Sequence, residues 1–211
     1  MDNALRQSWI EDREMDRTDD NYYFVAGVRL EKNKKYSASD DISFPDDAYV
    51  ELINGTFYEL FSKANAPKTR HQKISMELSY RIRDYIGKNG GGCEIYPAPF
   101  DVWINKDDYT VVMPDISVIC DPDKITDEGC VGAPDWIIEI VSSSNPENDY
   151  FRKLNLYLNA GVKEYWIVDP VKKQISVYNL SETGAVPTYY RFDDKIKAGI
   201  YDDLYIDFSD I

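Results

Sequence analysis

The run Trp136-Ile137-Ile138-Glu139-Ile140-Val141 sets one carboxylate inside an otherwise apolar, β-branched segment. A continuous apolar run of that length reads as a strand covered on both faces. An ionised Glu139 there costs several kcal/mol unless a cation, a basic side chain or a proton neutralises it. Upstream, Pro114-Asp115-Ile116 places a second carboxylate at the edge of another apolar run, Ile116 to Cys120. Two acids on neighbouring strands in hydrophobic surroundings suit a hard divalent cation with oxygen ligands, Mg²⁺ or Mn²⁺ in its place. The plainer alternative pairs Glu139 with an Arg or Lys as a structural ion pair and leaves Asp115 to cap a turn after Pro114. Lys153 tilts the balance toward chemistry. It falls on a helix predicted after Pro146, near the apolar stripe Tyr150, Leu154, Tyr157 and Leu158. Beside two acids, an amine can orient a reacting water and stabilise developing negative charge.

The surrounding pattern frames these residues. Tyr49–Ile53 and Thr56–Leu60 flank Asn54-Gly55, a two-residue hairpin turn whose residues tolerate positive φ. After Pro67, Ile74, Leu78, Ile82 and Ile86 recur every four residues and predict an amphipathic helix ending at Asn89-Gly90-Gly91-Gly92. Strands are expected from Glu94 through Ile104, across two prolines, and then at Val111 to Cys120, Trp136 to Val141 and Tyr165 to Val168. A more polar run follows to the end. This order predicts an α/β (α+β) fold, a mixed β-sheet flanked by helices. Residues 1 to about 35 read as an N-terminal extension and 36–211 as the domain. Within the extension, the apolar patch Tyr22-Tyr23-Phe24-Val25 fits an added strand, a helix or a docking segment equally well.

Bulk properties exclude several classes. With 43% hydrophobic residues, 17 Tyr and 4 Trp, the 211-residue chain has ample material for a core. It has no apolar stretch near the ~20 residues a bilayer crossing needs, and its start lacks the regions of a secretory signal. Cys93, Cys120 and Cys130 are far apart and odd in number, which predicts reduced thiols in a cytoplasmic protein. The formal net charge of −14 opposes nucleic-acid binding, whose affinity comes largely from Lys and Arg. A nucleic-acid enzyme of this composition must gather its cations locally or bridge through metal. Lys63, Lys68, Arg70 and Lys73 are a candidate cluster at the helix entry.

Taken together, YVELINGTFYEL, YPAPFDVWI, VVMPDISVIC, GAPDWIIEIVSSSN and RKLNLYLNAGVKEYWIVDP resemble, in order and over roughly residues 36 to 180, the Uma-type restriction endonuclease family, formerly a domain of unknown function. The resemblance implies a PD-(D/E)XK nuclease core of the restriction-endonuclease fold. It makes Asp115 the PD aspartate and Glu139 the acid of the second half-motif. Two positions after Glu139, where the motif carries lysine, stands Val141, and Lys153 on the next helix substitutes. Glu51, His71 and Asp101 also match family positions. His71, the sole histidine, is otherwise a surface or satisfied core residue; Glu51 and Asp101 are otherwise outward-facing strand residues. The implied activity is Mg²⁺-dependent hydrolysis of DNA, with Asp115, Glu139 and the Ile140 carbonyl as metal ligands, in a protein expected to be a homodimer. RNA or a small phosphodiester is a second substrate class. A catalytically weak module kept for protein association is the rival reading.

Overall fold

Along the chain come β1 (Tyr22–Val25), β2 (Val28–Glu31), β3 (Ala48–Ile53), β4 (Thr56–Ser62), helix α1 (Thr69–Asn89), β5 (Glu94–Pro97), β6 (Asp101–Trp103), β7 (Ile116–Ile119), β8 (Gly129–Val131), β9 (Trp136–Ile140), helix α2 (Glu147–Ala160), β10 (Glu164–Asp169), β11 (Gln174–Asn179), β12 (Thr188–Arg191), β13 (Lys195–Lys197) and β14 (Tyr205–Asp207). The computed structural model describes residues 20–62, 66–142, 147–182 and 185–211. Six strands form the central sheet in the order β12-β11-β10-β9-β7-β5. Only β9 and β10 run parallel, with α2 crossing between them; the other neighbours are antiparallel.

Every residue of β9 is buried, as its apolar sequence requires. Its alternate side chains serve two cores. Trp136, Ile138 and Ile140 pack with Ile74, Leu78 and Ile82 of α1 and with Ile196, Ile206 and Phe208 of the C-terminal segment. Ile137 packs on the opposite side with Leu154 and Tyr157 of α2. Glu139 follows Ile137 by two residues and therefore points toward α2. Helix α1 stops at Gly90, whose φ of 65° is the left-handed conformation that suits glycine at a helix C-terminus.

Asn54 and Gly55 both have positive φ, 52° and 85°, as the tight β3–β4 hairpin demands. The patch at Tyr22–Val25 is a strand: β1 and β2 form a second hairpin, and Val25 and Leu30 share a small core with Leu52 and Phe57.

Three expectations need revision. Val111 to Cys120 is not one strand. Pro114 lacks an amide hydrogen and divides it, so Val111 and Val112 bridge Leu52 and Val102 while Ile116–Ile119 join the central sheet. Glu94 to Ile104 divides likewise, and β6 pairs instead with β8, a strand not foreseen. The expectation of three reduced thiols is also corrected. Antiparallel β5 and β7 pair Glu94 with Ile119, so the next residues outward, Cys93 and Cys120, face each other and are joined in a disulfide. Cys130 alone is a free, buried thiol. Among the described residues no helix is long and apolar enough to cross a membrane.

Candidate active site

The break at Pro114 is what assembles the site. Antiparallel β7 and β9 pair Ile116 with Ile138, so one step outward Asp115 stands across from Glu139. Asp115 Oδ2 accepts the Ile140 backbone N–H at 2.7 Å and lies 3.2 Å from His71 Nε2, in the first turn of α1. On the other side of Pro114, the Met113 backbone N–H donates to Glu51 Oε1 at 2.9 Å. Glu51 is thereby drawn in from β3.

Lys153 closes the arrangement from α2. Its Nζ donates to Glu51 Oε1 at 2.8 Å and to Glu139 Oε1 at 2.9 Å. Tyr157, one helical turn later on the same face, donates its hydroxyl to the same Glu139 oxygen at 2.9 Å. Relative exposures are 1% for Lys153, 2% for Glu51 and 3% for Glu139, so these are charges held inside the protein. A buried ammonium shared by two carboxylates is the pairing that makes such burial tolerable.

One ammonium does not satisfy the local charge. Burial pushes the Glu139 carboxyl up to about 7; Lys153 opposes that rise, while the charges of Asp115 and Glu51 add to it. Asp101, half-buried at the start of β6, is raised by burial and then by the charge of Glu51. For His71, burial favours the neutral ring, but the hydrogen bond and charge of Asp115, the charge of Glu139 and the Ile140 carbonyl outweigh it and raise its pKa. Burial is the largest cause for both carboxyls, and in all three shifts a neighbouring carboxylate adds to the rise.

The donor set fits a hard cation. Asp115 and Glu139 each commit one oxygen to the contacts above and keep the second outside them. The Ile140 carbonyl lies beside them, close enough to act on His71. No group of three His, Cys, Asp or Glu side chains among the described residues forms a ready-made cage. Mg²⁺ is commonly held by one or two carboxylates together with waters and substrate phosphate, a set to which Asp115 and Glu139 could contribute.

A family model, Uma2, described as "Putative restriction endonuclease", matches residues 34–198. The chain belongs to the Uma2 family. It is 30% identical over 136 residues to the uncharacterized protein slr1290 of Synechocystis sp. strain PCC 6803, an alignment covering 64% of this chain and 67% of that protein. The crystal structure of a protein from Anabaena variabilis, described as a "putative nuclease belonging to DUF820", superposes with a TM-score of 0.61 at 20% identity. The superposition covers 76% of this chain and 88% of the other. At that identity the likeness speaks to the fold, and it agrees with the nuclease-type mixed sheet and flanking helices read from the sequence.

Within this Uma2 chain, Asp115, Glu139, Lys153, Glu51 and His71 come together, and Asp101 stands next to them within electrostatic reach of Glu51. Glu51 and Asp101 do not face outward, contrary to their plainer reading; Glu51 is fully buried and Asp101 half-buried. Of the basic cluster, Lys68, Arg70 and Lys73 are exposed at the start of α1, and Lys63 lies outside the described residues. Sequence reasoning missed Tyr157, which read as one more member of an apolar stripe. Its spacing of four from Lys153 was the available signal.

Proposed function

We propose that this chain is a metal-dependent endonuclease that hydrolyses phosphodiester bonds of DNA. The observation that carries this reading is the buried Lys153 ammonium joining Glu139 and Glu51, with Asp115 across from Glu139 and bonded to the amide of Ile140. Asp115, Glu139 and the Ile140 carbonyl would hold Mg²⁺, or Mn²⁺ in its place. Such an ion, when bound, supplies Lewis-acid chemistry: it lowers the pKa of water and polarises the phosphate.

The chain's own residues do the rest. Lys153 and Tyr157 both donate to Glu139 Oε1, which fixes the carboxylate before substrate arrives and favours its ionised form. The Lys153 charge also stabilises negative charge developing on the phosphate and orients the attacking water. Glu51 holds that ammonium from the opposite side. His71 bonds Asp115 through Nε2 and would hold that carboxylate in place at the mouth of the site, where the Asp115 side chain keeps 19% of its exposure.

One feature supports the rival reading of a module without catalysis: Lys153 is already paired with both Glu51 and Glu139 out of solvent. Side-by-side incubation with single- and double-stranded DNA and RNA, with Mg²⁺ or with EDTA, separates the two. The proposed enzyme cleaves DNA only with metal, and Glu139→Ala abolishes cleavage while leaving the protein folded. Cleavage retained by Glu139→Ala removes Glu139 from the mechanism, and no cleavage of any substrate leaves the module. Cleavage confined to RNA would change the substrate and keep the site.

A further inference from the structure

A chain with a net charge of −14 can hold a nucleic-acid backbone only where its cations are gathered. Such a gathering lies beside the candidate site. The turn from β10 to β11 and the end of β12 frame a concavity of about 450 Å³ lined by Lys172, Lys173, Gln174, Arg191, Phe192 and Asp193. Because β10 runs parallel to β9 and pairs Val168 with Ile140, this turn leaves the sheet at the edge where Glu139 and Ile140 lie.

Phe192 links the concavity to the site. The Arg70 guanidinium stands 5.7 Å from its ring centroid, and Arg70 is followed directly by His71, which contacts Asp115. Phe192 thus connects Arg70 on α1, which also donates to the Ile211 oxygen at 3.0 Å, with a concavity whose cations are Lys172 and Lys173 in the turn and Arg191 at the end of β12.

Most of the acids here are engaged in building the turns. Asp169 Oδ1 accepts the Val171 and Lys172 backbone N–H groups, both at 2.9 Å. Asp194 Oδ2 accepts the Arg191 backbone N–H at 2.8 Å. Asp169 also stands 3.7 Å from Lys172 Nζ, which leaves Lys173 and Arg191 as the better anion contacts. Asp193 is the one acid among the lining residues. Lys173 and Arg191 are both exposed.

We infer that this concavity, together with Arg70, is a phosphodiester-backbone subsite that holds the DNA strand flanking the bond to be cut. The inference takes its placement from the nuclease reading, but binding itself needs only the cations. Phe192 adds an apolar ring against which a sugar or base can rest.

The test is fluorescence anisotropy of a labelled DNA duplex, with Ca²⁺ in place of Mg²⁺, over roughly 50 to 200 mM salt. K173E/R191E is compared with the wild type and with K32E/K34E, the same charge change on the β2–β3 connection. Loss of two phosphate contacts weakens binding by about tenfold or more and flattens the slope of log K against log salt by about 1.8. K32E/K34E should alter neither by more than about twofold, K173R/R191K should restore both, and melting temperatures should match. Equal losses in K173E/R191E and K32E/K34E, or none in the former, would overturn the subsite while leaving a cleaving wild type as a nuclease. A wild type that binds duplex through these residues but never cleaves leaves the subsite standing and removes the nuclease reading. A wild type that neither binds nor cleaves removes both.

Discussion

Lys153 Nζ and Glu139 Oε1 are 2.9 Å apart, with side-chain exposures of only 1% and 4%. The pair joins the helix after β9 to the strand itself, and through Glu51 it reaches the β3–β4 hairpin as well. One ammonium therefore ties three segments around a single charge cluster, so its removal is both a structural and a chemical event.

Replacing Lys153 by Met keeps the bulk and deletes the charge, leaving Glu51 and Glu139 buried without their ammonium. The expected loss is about 3–5 kcal/mol, read by urea denaturation of the metal-free protein. Pairing it with Glu51→Gln and Glu139→Gln should recover much of that stability, because no uncompensated charge then remains, yet cleavage should stay absent. A Lys153→Met variant as stable as the wild type would contradict the burial energetics argued here.

Tyr157→Phe removes only the hydroxyl that donates to Glu139. Lys153 still neutralises the carboxylate, so the cost should be about 1–2 kcal/mol, with the fold retained and cleavage reduced rather than abolished. Thermal melting and initial cleavage rates measured together would check this. A loss as large as that of Glu139→Ala would give Tyr157 a direct chemical role.

Stability of the metal-free protein should rise on acidification from about pH 8 to about pH 5. Glu139 faces Asp115, Glu51, Lys153 and Tyr157, and its folded pKa stands at about 7, above the ordinary 4.5. Its contribution is fully present below 4.5 and is lost as pH rises through about 7. His71 is raised above 6.5 and acts in the same direction, as do the raised carboxyls of Asp101 and Glu164. The folded chain thus binds more protons than the unfolded one over this range. Melting temperature against pH, without and with Mg²⁺, reads the effect; metal, which needs ionised ligands, should flatten it. A metal-free melting temperature that falls on acidification through this range would count against the buried-carboxyl picture.

Gly129 opens β8 at a φ of 151°, and a Cβ there would collide with the Asp101 backbone carbonyl, so Gly129→Ala should separate β8 from β6. A cost of about 2 kcal/mol or more is expected by denaturation, with Asp101 and, through it, Glu51 disturbed. Unchanged stability would mean that this strand pair carries little of the fold near the site.

Much of this was legible because it broke a pattern. Glu139 interrupts an apolar strand and Asp115 stands at the edge of another, so desolvation cost alone marks both. The β3–β4 hairpin and α1 follow from Asn54-Gly55 and from apolar residues at intervals of four. Glu51 was harder to read, since alternation in a hairpin suggests an outward residue, and only the Leu52–Val111 bridge and the Met113 amide turn it inward. Tyr157 hid among apolar neighbours because a tyrosine serves as core and as donor alike. The Cys93–Cys120 disulfide, 27 residues apart, follows from strand register and from nothing local. The cations near β12 were equally hidden, because Lys173 and Arg191 line one concavity only once the sheet is assembled.

Calorimetric titration of Mn²⁺ into the wild type, Asp115→Asn and Glu139→Gln tests most directly whether these two carboxylates share one ion. The wild type should bind Mn²⁺ at or below millimolar concentration, and each variant should lose at least about tenfold in affinity while melting as a folded protein. No binding by the wild type at millimolar Mn²⁺, or binding unchanged in both variants, would contradict the metal site and the chemistry built on it.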